Sequence, residues 1–313
     1  MLIGKCYNIF NLTIFISINI FKSAIMDNKT EIILKNYIEK MSALPVSIAK
    51  ILKIANNPQV QPKDLNKVIS LDPVLMAKVL KLINSAYYGL PNKITSLVRA
   101  IIMLGINTVK NLALSTAVVS NLASNANFKS IDKEAYWRHS IGTGIMAKKI
   151  AEKRGVQAKI LEEYFITGLL HDLGKIPLND KFSEDYMAAM TASDVNKQSL
   201  YKKEIEMFGI DHSEVGALIA KSWKLSEPIY YTIKCHHSLN NIPEQYEQIV
   251  SITSLANNII NLNGIGFAGN RHPENNTEDL MKKLNLSWEI LDSMLDTVGV
   301  EIENASIFLK ISD

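Results

Sequence analysis

Beyond residue 26, apolar positions recur at helical spacing almost without interruption. Ile32, Ile33, Tyr37, Ile38 and Met41 mark one face of a first helix, and Ala43-Leu44-Pro45 breaks it before Val46–Asn56. Gln61-Pro62-Lys63-Asp64 opens a short helix that runs to Ile69. Asp72-Pro73 then sets an N-cap aspartate ahead of a proline at the first helical position. The helix it starts carries Leu75, Val79, Leu80 and Ile83 and ends in Asn84-Ser85-Ala86-Tyr87-Tyr88-Gly89, with a turn at Pro91-Asn92. Leu97–Leu104 and Thr108–Leu122 follow, joined at Gly105-Ile106-Asn107.

The polar stretch Ser124–Ser130 reads as a boundary. After it the pattern predicts one long helix over Ile131–Arg154, then helices over Lys159–Leu173, Glu184–Ala192 and Val195–Phe208. Asp211 caps His212–Leu225, with Glu214 in capping-box position, and Pro228 sits in the first turn of Glu227–His237. Gln248–Leu262, a polar Gly/Asn loop over Gly264–Asn276, and two or three covering helices over Glu278–Ile311 complete the chain. Sustained strand alternation is missing, so the fold class is all-α, a multi-helix bundle. The expected organisation is an extension at 1–25, an N-terminal helical part at 26–125, a histidine-bearing helical part at 126–263 and covering helices at 264–313.

Composition narrows the setting. The 313 residues are 47% hydrophobic and 21% charged, which suits a folded chain with a full core. A net charge of +3 from dispersed Lys and Arg gives no concentrated footprint for nucleic acid. Two cysteines, Cys6 and Cys235, make no disulfide framework, and a reducing cytoplasm is the simplest location. Residues 6–21 are uncharged but shorter than the roughly 20 apolar residues that span a bilayer, and Asn8, Asn11 and Asn19 interrupt them. Met26 as the true start fits this better than a short membrane anchor.

The chemistry concentrates in Leu169-Leu170-His171-Asp172-Leu173-Gly174-Lys175. Gly174 in the left-handed conformation would close a helix and leave His171 and Asp172 on its last turn. Neighbouring side chains on a helix point about 100° apart, so these two converge only on something shared, such as a metal ion or a metal pair. Of six histidines, five (His139, His171, His212, His236 and His237) fall in or beside helices between residues 131 and 240. Imidazoles plus a carboxylate on facing helices suit zinc, manganese or iron, as one or two ions. A lone helical histidine is more often a surface or satisfied core group, and it is the number here that favours a ligand set.

Trp137-Arg138-His139-Ser140, the His171-Asp172 stretch, Asp211-His212-Ser213-Glu214-Val215-Gly216 and His236-His237 together resemble the HDOD domain, the HD-related output domain of bacterial signalling proteins. Leu44-Pro45, Asp72-Pro73-Val74-Leu75-Met76-Ala77-Lys78 and Asn84–Gly89 are similar to that family's recognisable stretches in the same order, over about residues 35–260. The resemblance implies an all-α regulatory output, related to HD and HD-GYP phosphohydrolases but usually without demonstrated catalysis. Two departures bear on chemistry. Where the hydrolases complete their metal set with an aspartate, the matching position is Asn257, an uncharged donor. His237 is followed by Ser238-Leu239-Asn240-Asn241, without the Gly-Tyr-Pro signature.

The expected function is therefore a regulatory module that binds a signalling protein or a nucleotide, with a metal held by His139, His171, Asp172, His212, His236, His237 and Asn257. The alternative is a metal-dependent phosphohydrolase, a phosphodiesterase or nucleotidase, in which Asp172 is essential and Lys175 contacts phosphate. A lysine just past a helix end is otherwise a solvated charge near the negative helix pole. The Tyr87-Tyr88 pair reads as packing with hydroxyls at the rim, and Cys235 as an inert buried thiol.

Overall fold

The computed structural model describes residues 30, 32–39, 46–55, 57, 59–125, 128–274 and 276–305. Residues 6–21, Met26, Leu44-Pro45 and the end of the expected last helix lie outside them. Among the described residues every regular element is a helix. Residues 32–39 are helical, followed by α1 (Val46–Ala55), α2 (Pro62–Ile69), α3 (Pro73–Ile83), α4 (Leu97–Leu104) and α5 (Ile106–Asn125). The second half holds α6 (Lys133–Lys153), α7 (Leu161–Leu170), α8 (Lys175–Lys181), α9 (Ser183–Asn196), α10 (Leu200–Phe208), α11 (His212–Ser222) and α12 (Glu227–Cys235). It ends in α13 (Glu244–Leu262), α14 (Thr277–Lys283) and α15 (Trp288–Ala305). Among the described residues no helix is long and apolar enough to cross a membrane.

Helix starts sit where local chemistry puts them. Asp72 accepts from the Leu75 N–H at 2.9 Å, Asp132 from the Ala135 N–H at 2.7 Å, and Asp211 from Ser213 and Glu214 at 2.8 and 3.0 Å. Each cap satisfies donors that the first turn leaves open. The middle of the molecule is α6, which buries side chains on every face from Tyr136 to Ala151 against α7, α13 and α15. Helix α7 is likewise buried all round. The two approach through glycines: a Cβ on Gly168 would lie 2.6 Å from the Gly144 Cα, and one on Gly144 would lie 2.6 Å from the Phe165 carbonyl oxygen. Backbone-to-backbone contact at this crossing sets His139 on α6 against the end of α7.

The expected helix over Lys159–Leu173 is instead three pieces. A 3₁₀ turn (Ala158–Ile160) leads into α7, the chain turns through His171–Gly174, and α8 begins at Lys175. Gly174 is not left-handed; its φ and ψ are −71° and −14°. What the position requires is clearance: a Cβ there would sit 1.9 Å from the His212 carbonyl oxygen and 2.5 Å from the Gly216 nitrogen. The missing side chain lets the turn press against the first turn of α11. Gly209, with φ +72°, does end a helix by a left-handed residue, closing α10 just ahead of Asp211.

Gly174→Ala is expected to lower stability by about 3 kcal/mol, because backbone must move to admit the methyl group. Urea unfolding would show it as a lower midpoint at unchanged slope. An unshifted midpoint would mean that the turn and α11 are not in contact.

Candidate metal centre

Four segments deliver six of the seven expected groups to one place. His139 comes from the first half of α6, His171 and Asp172 from the turn after α7, His212 from the first residue of α11, and His236 and His237 from the end of α12. None is more than 7% exposed. Asp172 lies at the middle. Its Oδ2 is 3.3 Å from His171 Nε2 and 3.5 Å from His139 Nε2, while Oδ1 is 3.2 Å from His212 Nε2 and 3.6 Å from His236 Nε2. His237 Nε2 lies 2.7 Å from His212 Nε2. The donors form two groups with Asp172 common to both: His139, His171 and Asp172, and Asp172, His212, His236 and His237.

The far side of the rings fixes which nitrogen faces inward. His171 Nδ1 lies 2.6 Å from the Gly168 carbonyl and His236 Nδ1 lies 2.8 Å from the Ile233 carbonyl, each from the residue three before it. A carbonyl only accepts, so both Nδ1 atoms carry the proton and both Nε2 atoms present a lone pair to the centre. Those Nε2 atoms, His139 Nε2 and Asp172 Oδ1 are buried with no hydrogen-bond partner. Inward lone pairs left unmatched are costly unless a cation meets them, so this donor set suits a divalent metal of the zinc, manganese or iron type.

Charge at the centre is unevenly spread. Burial lowers His139 to about 3 and also lowers His236, so both rings are neutral. Burial, reinforced by the nearby His236, lowers His237 to about 4. Burial works against the Asp172 carboxylate, yet the surrounding imidazoles, His171 foremost, and the Lys175 ammonium 2.7 Å from Oδ2 hold it well below the usual range. His212 behaves differently. Burial opposes its charge, but the Glu204 carboxylate 2.5 Å from its Nδ1 raises it to about 9.

A family model for the HDOD domain matches residues 41–239. The chain belongs to the HDOD domain family. It is 30% identical over 220 residues to an uncharacterised protein of Treponema pallidum (strain Nichols), covering 70% of this chain and 42% of that longer protein. An HDOD domain protein of unknown function from Geobacter sulfurreducens superposes with a TM-score of 0.70 at 26% identity, over 88% of this chain and 97% of its own. A candidate phosphohydrolase from Shewanella amazonensis SB2B superposes at 0.68 and 22% identity over 88% and 98% of the two chains, which establishes likeness of fold.

Within this HDOD domain several expectations are met and one is reversed. Cys235 is buried and burial pushes its thiol up, as fits an inert side chain. Tyr87 and Tyr88 pack edge to face at 5.0 Å, and the Tyr88 hydroxyl donates to Glu162 at 3.1 Å. Asn257 is buried on α13 beside His139, and its Oδ1 accepts from Asn261 Nδ2 at 2.7 Å. Lys175, however, is no solvated charge. It is 2% exposed and its Nζ donates to Asp172 Oδ2 at 2.7 Å, so the neighbouring carboxylate draws it inside.

Two groups escaped the sequence reading. Glu204 Oε2 accepts from the backbone N–H of His212 at 2.8 Å and faces its Nδ1, while Glu204 Oε1 accepts from the Tyr186 hydroxyl at 2.7 Å. Its signal was positional: Leu200, Glu204 and Phe208 share one helix face, and both flanking residues are core. Glu274 comes from the polar loop, with Oε1 2.9 Å from His237 Nδ1, and no periodicity announced it.

Glu204→Leu is expected to cost about 3 kcal/mol by stranding His212 in the interior. The same change should weaken metal affinity by about tenfold to a hundredfold through loss of ring orientation. Chelator competition on the folded variant reads the second effect. Unchanged metal affinity would show that Glu204 does not hold the ring.

Proposed function

We propose that this HDOD chain is a regulatory binding module, receiving a signalling protein or a nucleotide, around a metal centre that is structural. His139, His171, Asp172, His212, His236 and His237 would hold the metal, with Asn257 as a neutral donor beside His139. The observation that carries this is closure. Structural metal sites surround the ion with protein donors, whereas catalytic ones keep a position open to water and substrate. Here every candidate donor is buried, and Lys175, which a hydrolase would turn toward phosphate, spends its charge on Asp172. When bound, a divalent ion at this point would tie four separate chain segments together and add its binding free energy to folding.

A second reading has its own support. The two Asp172 oxygens face different imidazole pairs, an arrangement able to hold two ions across one carboxylate, and two-ion centres serve phosphoryl chemistry. The neutral Asn257 leaves such a pair less well compensated than an aspartate would.

Metal analysis of the purified chain separates the readings. Stoichiometric metal, lost in His171→Ala, with no phosphate released from bis(p-nitrophenyl) phosphate or nucleotides, is the expected result. Metal-dependent release abolished by Asp172→Ala would establish a hydrolase instead. Absence of metal from protein purified without chelators would remove the metal from both.

A further inference from the structure

Outside the histidine centre, a cavity of about 460 Å³ lies between the polar loop over 264–276 and the beginning of α15. Its size falls within the roughly 300–1,000 Å³ of small-molecule sites. Trp288 forms one wall and is 43% exposed, although Trp137 and Trp223 are only 1% and 2% exposed. Leu262, 53% exposed, lines the same space, so an apolar plate is left open to solvent there. Lys197 and Arg271 supply positive charge. Among the described residues Lys197 has no ion-pair partner, and Arg271, its guanidinium 4.9 Å over the Phe267 ring, meets Asp194 through Nε at 3.2 Å with no hydrogen bond at its terminal nitrogens. Glu274 and Glu278 line the space with carboxylates.

These groups make a consistent demand on a ligand. An exposed tryptophan face accepts a flat heterocycle by stacking. The lysine and the arginine fork accept a phosphate. Carboxylates repel phosphate but accept hydrogen bonds from neighbouring hydroxyls, as acidic residues do with ribose. One phosphate, a diol and a base satisfy all three, whereas a polyanion would meet Glu274 and Glu278 unfavourably.

The geometry points to a nucleoside-phosphate site here, with the base on Trp288, the phosphate at Lys197 and Arg271, and the sugar hydroxyls at Glu274 and Glu278. This inference rests on the reading of the chain as a binding module and names the ligand class. Its wall is shared with the buried centre, because the Glu274 that lines the cavity also lies 2.9 Å from His237 Nδ1. Glu274 Oε1 and His237 Nδ1 are close but poorly aligned for a hydrogen bond, so this oxygen is short of a donor.

Titration of the full-length protein with AMP, GMP, adenosine and inorganic phosphate, followed by tryptophan fluorescence and calorimetry, tests the site. Binding of a nucleoside monophosphate more tightly than adenosine or phosphate alone is expected. Trp288→Leu and Arg271→Ala should each weaken it at least about tenfold. Binding that neither variant changes would overturn this location while leaving the binding-module reading in place. No nucleotide binding by the wild-type protein would overturn the inference. Release of inorganic phosphate in the same samples, abolished by Asp172→Ala, would count against the non-catalytic reading and not against the site. Both variants alter exposed side chains, and unchanged thermal midpoints confirm that they fold.

Discussion

A carboxylate without water is the constraint around which this molecule is arranged. Asp172 is fully buried, and an uncompensated charge at that depth would cost several kcal/mol. Compensation starts within the turn itself, where Lys175 donates its backbone N–H to the Asp172 carbonyl and its ammonium to the Asp172 side chain. It continues through imidazoles from three other parts of the chain. The distance at which they arrive depends on backbone contact: Gly174 lets α11 start against the turn, and Gly144 against Gly168 lets α6 cross α7. A side chain at any of these glycines would separate the segments that carry the donors.

The imidazoles fall into two kinds by what holds their outer nitrogen. His171 and His236 are held by backbone carbonyls of their own chain segments, so their inward lone pairs are fixed by local structure. His212 is held by the Glu204 carboxylate, and His237 lies 2.9 Å from that of Glu274, both from other elements. These two rings meet Nε2 to Nε2 at 2.7 Å, a separation that requires a proton between them or a cation beside them. Three buried or nearly buried carboxylates, Asp172, Glu204 and Glu274, surround the centre against the single ammonium of Lys175. That excess of negative charge is what a metal ion would neutralise.

Much of this was legible in the sequence because it is local. A capping aspartate acts within three residues of itself, so Asp72 and Asp211 announce their helices. Histidine is rare enough that five in one region form a signal without any knowledge of the fold. Gly174 was misread because glycine after an apolar run serves equally as a helix stop or as a point of close approach. Only the His212 carbonyl, distant in sequence, decides between them. Lys175 was misread for a related reason: a lysine is solvated unless a buried partner repays its desolvation, and that partner's burial is a tertiary fact. Glu274 carried no local pattern at all, since a loop residue acquires its place from the elements that the loop spans.

If the centre is closed and regulatory, as proposed above, the position of Glu274 offers a physical route by which it could respond to a ligand. The residue belongs at once to the wall of a surface cavity and to the outer contacts of His237. A ligand that donates a hydrogen bond to this carboxylate competes with His237 for it. Loss of that contact would free the ring that lies 2.7 Å from His212, and His212 in turn lies against Glu204 and Asp172. By linkage the coupling must run both ways, so occupation of the metal centre would alter affinity in the cavity by the same factor. Such an arrangement needs no substrate turnover and no open metal position. It needs one carboxylate whose two obligations have unequal strength in the two states, and a loop carboxylate meets that condition more readily than one fixed within a helix.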